Sequence, residues 1–205
     1  MKKVNYDVYK LSILNSNYIF VLDVESTCWD KDCAEDTEIF SRQESEIIEF
    51  GMVLVEKQNS KIIDKFNAFI RPQRHPILSN FCKNLTSISQ SDLDNAKIYI
   101  EVCKELKQFL DKYPNVKEWS SWGNYDNNII AENCLYWNIE NPFNDFTHIN
   151  LKEKLKEKYP EYAKKHKRLG YEKTLRKCFK LEFEGTQHRG IDDVINISKM
   201  VQFLF

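Results

Sequence analysis

Glycine and proline are scarce in this chain, five of each among 205 residues. That scarcity excludes long flexible linkers, and one domain over 1–205, with a core from about 18 to 203, is expected. The six cysteines (28, 33, 82, 103, 134 and 178) contain no CxxC pair. Structural zinc sites of the usual spacing are thereby excluded, and reduced cytosolic thiols are expected. No apolar run approaches the roughly 20 residues that cross a bilayer. The opening MKKVNYDVYKLSILNS also lacks the continuous apolar core of a signal peptide. The expectation is a cytoplasmic protein with no membrane partner. Neither sign of charge prevails: 30 basic and 31 acidic residues give a net charge of −1. Bulk charge therefore neither announces nor excludes a polyanion partner, since positive charge can gather locally around an acidic centre.

What is present is a globular composition, 42% hydrophobic and 13% aromatic. YIFVLDV (18–24) is β-branched and aromatic and reads as a central strand. Residues 28–45 are polar and acidic and read as a long loop. IIEFGMVLVE (47–56) and KIIDKFNAFI (61–70), joined by the polar turn KQNS, predict a hairpin ended by Pro72 and Pro76. Ile98, Val102, Leu106 and Phe109 form one apolar stripe, which predicts a helix over 95–111. A strand over 116–122, a helix over 127–137 opened by Asp126 and a short strand over 146–149 follow. The segment 151–170 reads as helical, broken near Pro160, with eight Lys/Arg against three Glu. Helices over 169–179 and 191–205 complete the chain. This order predicts an α/β fold: a mixed sheet, with an antiparallel hairpin and parallel crossovers, flanked by helices.

Five residues stand out against that background. Asp23 and Glu25 interrupt the apolar strand and, two apart, leave it on the same face. Adjacent carboxylates repel unless a proton or cation lies between them, and hard oxygen ligands suit magnesium or manganese. Two acids at a strand end facing solvent would look the same in sequence. Asp126, in SSWGNYDNN, fits a ligand or an ordinary helix cap equally well. His188 precedes Gly190 and the last helix, where Asp193 shares a stripe with Ile197, Met200 and Leu204 and is expected to point inward. Asp192 shares its stripe with Asn196 and Lys199 and is expected to face water as a first-turn acid. A histidine beside such acids, with a pKa near 6.5, can take a proton from water near neutral pH.

The stretches LDVESTCW (22–29), EIIEFGMVLV (46–55), LSNFCKNLTSISQ (78–90), SWGNYDNN (121–128) and FEGTQHRGIDDVINI (183–197) carry a resemblance. The chain resembles the DEDDh-type 3′–5′ exonucleases of ribonuclease H-like fold, most of all their Eri-1/KapD-like branch. The resemblance implies two Mg2+ or Mn2+ ions per active site, with Asp23, Glu25 and Asp193 on the first and Asp23 and Asp126 on the second. It implies His188 as general base, beside Glu25. Ser26 and Thr27 would touch the terminal nucleotide, Tyr125 and Asn127 its sugar and base, and Phe81 the apolar wall that holds the base. The implied partner is a nucleic acid with a free 3′ end, RNA favoured, cut to nucleoside 5′-monophosphates. A DNA-directed proofreading or repair exonuclease and a non-catalytic nucleic-acid-binding module are the alternatives. The acidic 28–45 loop could shield such a site, and the basic 151–170 segment could follow the substrate backbone or form a solvated face.

Overall fold

The computed structural model describes residues 17–34, 36, 38–166 and 168–205. The N-terminal stretch read for a signal peptide, and Lys167 of the basic segment, lie outside the described residues. One five-stranded sheet has the order β3-β2-β1-β4-β5. Its strands are β1 (Tyr18–Ser26), β2 (Ile47–Glu56), β3 (Ile62–Phe69), β4 (Glu118–Ser121) and β5 (Thr147–Asn150). β1 and β2 pair antiparallel, as do β2 and β3, while β1–β4 and β4–β5 are parallel. The mixed sheet is as expected.

β1 occupies the middle because both its faces are apolar. Phe20, Leu22 and Val24 enter a core layer with α3 (Tyr99–Asp111) and α4 (Tyr125–Tyr136). Ile19 and Val21 enter the opposite layer with α5 (Leu151–Lys158), α7 (Tyr171–Lys177), α8 (Gly190–Ser198) and α9 (Val201–Leu204). Asp23 and Glu25 follow Ile19 and Val21 on the second face, so α8 lies over them.

Several boundaries differ from the sequence reading, each for a local reason. α3 begins at Tyr99 and not at 95, because Lys97 is held in a parallel bridge to Ile70 and Arg71 N–H donates to Lys97 O at 2.9 Å. The last helix is interrupted at Lys199–Met200. There the Ser60 hydroxyl donates to Lys199 O (3.2 Å) and accepts from Gln202 N–H (2.9 Å). Two helices were not anticipated, α1 (Asn80–Thr86) and α2 (Gln90–Asp94). Their signal is in the caps: Ser79 Oγ accepts from Cys82 N–H, and Ser89 and Asp92 cap each other reciprocally. The basic segment is broken at Pro160 as expected, into α5 and α6 (Pro160–Lys165). Among the described residues, no helix is long and apolar enough to cross a membrane.

Candidate active site

Three separate elements converge at the end of β1. Asp23 and Glu25 come from the strand itself, Asp126 from the first turn of α4, His188 from the loop just before α8 and Asp193 from its first turn. The local reasons differ. Asp126 does not cap α4, whose N-cap is Asn124. Its Oδ1 instead accepts from Val24 N–H at 3.1 Å, where the end of β1 offers a free amide. Asp193 points inward as expected and is 2% exposed. Its Oδ2 accepts from His188 N–H at 3.0 Å, which fixes the loop before the helix. His188 pays for that position with a left-handed backbone, φ +61°. Asp192 is not simply a solvent-facing acid: its Oδ2 accepts from Thr186 N–H at 2.8 Å. Its stripe partner Asn196 is buried and not in water, because it bonds both ways to the Glu184 backbone.

One ligand atom from each of Glu25, His188 and Asp193 lies within 4.8 Å of the others. Asp23 and Asp126 complete the group electrostatically. Burial, then Asp126 and Glu25, holds the Asp23 carboxyl well above the ordinary carboxylate range. Burial, then Asp193 and Glu49, pushes Glu25 up to about 9. Asp126 and Asp193 are pushed up to about 6, again first by burial. Asp126 is partly relieved by the amides that donate to it, by Ser121 and by the Lys152 ammonium. His188 is shifted down by its half-buried setting, with Glu172 opposing. Tyr171 acts on Asp193, yet neither its hydroxyl nor Asp193 Oδ1, both buried, has a hydrogen-bond partner among the described residues. Clustered acids that raise one another, one with an orphaned buried oxygen, fit a divalent cation.

The residues around this group sort themselves by what already occupies them. Ser26 Oγ and the Tyr125 hydroxyl are 2.7 Å apart, and the Arg42 guanidinium lies 4.6 Å over the Tyr125 ring. Thr27 is buried, its hydroxyl accepting from Glu46 N–H at 2.9 Å. Phe81 is half-buried on the first turn of α1, and Asn127 is half-buried on α4. Two residues escaped the sequence reading. Asn133 ties α4 to the start of β2, accepting from Ile47 N–H and donating to Ser45 O. Glu49 adds a fifth carboxylate to the four of the cluster, directly opposite Glu25 in the β1–β2 ladder. An acid inside the apolar run IIEFGMVLV was the available signal.

The exonuclease family model, RNase_T, matches residues 20–201. The chain belongs to that exonuclease family. Within it, this exonuclease is 31% identical over 231 residues to "3'-5' exonuclease eri1" of Schizosaccharomyces pombe, covering 94% of this chain and 71% of that one. It is 28% identical to "ERI1 exoribonuclease 2" of Xenopus laevis, covering 89% of this chain but only 28% of the relative. It is 25% identical to "Probable 3'-5' exonuclease KapD" of Bacillus subtilis, covering 78% and 73%. The nuclease domain of 3'hExo, a DEDDh family member solved with rAMP, shares the fold with a TM-score of 0.76 at 23% identity, over 91% of this chain and 90% of that one. The Eri-1/KapD-like resemblance and the ribonuclease H-like fold are both borne out.

Proposed function

We propose that this protein is a divalent-metal-dependent 3′–5′ exonuclease that releases nucleoside 5′-monophosphates from the 3′ end of nucleic acid, RNA by preference. The observation that carries this reading is the convergence of Asp23, Glu25, Asp126, His188 and Asp193 from three distant parts of the chain. In this reading Asp23, Glu25 and Asp193 hold the first of two Mg2+ or Mn2+ ions, and Asp23 and Asp126 serve the second. Bound there, such ions neutralise charge on the scissile phosphate and make water a better nucleophile. The His188 ring, kept neutral by its half-buried setting, accepts the proton that the attacking water gives up. Ser26 and Tyr125, already bonded to each other, form the floor for the terminal nucleotide, with Thr27, Phe81 and Asn127 around it. Arg42 and Lys152 supply local positive charge, and the names of the eri1-like relatives support RNA as substrate.

The test uses 3′- and 5′-labelled RNA and DNA oligomers with Mg2+, Mn2+ or EDTA. A ladder shortening from the 3′ end, abolished by EDTA and faster on RNA, is the expected result. Faster cutting of DNA favours the DNA-directed alternative. Metal-dependent binding without shortening favours the non-catalytic module and sinks the proposal.

A further inference from the structure

Glu49 is wholly buried at 0% exposure on β2, opposite Glu25. Its side chain leaves the sheet on the face that α8 covers. Oε2 accepts from Gly190 N–H at 3.0 Å and from Arg189 Nε at 3.3 Å, and the guanidinium lies 5.1 Å over the Phe69 ring. Gly51, two residues on, makes the same seat by having no side chain: a Cβ there would lie 2.2 Å from the Gly190 carbonyl carbon. The backbone thus clamped is the one that carries the site. His188 N–H donates to Asp193 Oδ2, and Asp193 N–H donates to Arg189 O at 2.8 Å.

We infer that Glu49 is a positioning residue for His188 and Asp193, acting through Gly190 and Arg189 and never touching substrate. A clamp serving the fold alone has no need of a carboxylate. Oε1 is buried with no hydrogen-bond partner among the described residues, and the charge adds to the repulsion borne by Asp23, Glu25 and Asp193. A glutamine would accept from Gly190 without that repulsion. What a glutamine cannot do is hold Arg189 as an ion pair: it offers the guanidinium only a neutral acceptor, which leaves it freer to turn towards the neighbouring acids. The charge on Glu49 therefore fixes both the turn that presents His188 and the place of the cation beside it.

The kinetic arm of the test rests on the exonuclease reading, and a second arm does not. In the metal-free protein, Glu49→Ala is expected to speed amide exchange at Gly190 by about tenfold or more, as one hydrogen bond to a buried charge is lost. The same variant shifts the His188 ring signals. Glu49→Gln, relieved of that repulsion, is expected to melt no lower than the wild type without metal. With Mg2+ and a 5′-labelled RNA oligomer, it lowers kcat about 10²-fold while KM stays within about twofold. A merely structural role would instead move melting and turnover together. The inference is overturned by wild-type kcat in Glu49→Gln, or by unchanged Gly190 exchange and His188 signals in Glu49→Ala. If the wild type turns over no oligomer, the exonuclease reading fails, and Gly190 exchange with the His188 signals decides this inference alone.

Discussion

His188 and Asp193 are five residues apart and joined by one hydrogen bond, yet changing each should give a different signature. Burial first, and then Asp192 and Glu49, raise Asp193, so Asp193→Asn relieves both the buried charge and the repulsion while keeping an acceptor for His188 N–H. We expect this variant to melt higher than the wild type in EDTA and to have no exonuclease activity. Paired thermal melts and turnover assays check both halves, and a lower melting temperature in EDTA would contradict the repulsion. His188→Ala should leave metal-free stability nearly unchanged and lower kcat by about 10² to 10⁴, the range for loss of a general base. Full turnover at neutral pH in that variant would refute the proton-transfer role.

At the scale of elements, the acidic 28–45 loop is largely occupied with building the site's surroundings. Asp36 caps α1, accepting from Asn80 N–H and Phe81 N–H, and Phe40 packs on Trp29 and His75. The short turn Arg42–Glu44 delivers Arg42 over Tyr125. The basic helices give the opposite lesson: Lys154, Lys156 and Lys164 pair with glutamates of their own helix at the exposed surface. Charge spent in that way is the ordinary solvated face. We therefore expect Arg42→Ala to raise KM and reduce the salt slope of oligomer binding by about one. The charge reversal Lys164→Glu with Lys165→Glu should change neither, as binding measured across a salt series would show. The contact between β2 and α8 allows a further prediction. Gly51→Ala forces the start of α8 outward and should cost about 1–3 kcal/mol. Differential scanning calorimetry would register that as a fall of about 2–4 °C per kcal/mol.

For the whole molecule, the acid cluster should couple folding to pH and, under the proposed function, to metal. A carboxyl whose folded pKa is raised lends stability below its unfolded value, near 4. That stability is lost as pH rises through about 6 for Asp126 and Asp193 and about 9 for Glu25. Metal-free protein should accordingly melt lower at about pH 8 than at about pH 5, and Mg2+ should remove most of the difference. Melts that are flat with pH in EDTA would contradict the cluster's repulsion. The central place of β1 and the inward turn of Asp193 were legible in sequence because each rests on a local apolar pattern: both faces of β1 are apolar, and Asp193 lies on the stripe of Ile197 and Met200. The serine caps of α1 and α2 were equally present and went unread. Asp126 as a partner of Val24 N–H, Asn196 as a buried amide, and Glu49 beneath α8 were not legible. Each is a polar side chain whose partner lies far away in the chain, and spacing along a sequence carries no record of what a strand meets across space. The sequence alone determined which acidic and imidazole side chains stand out and the elements that bear them. Tertiary packing decided their convergence, because only burial against one another makes five acids and a histidine one electrostatic unit.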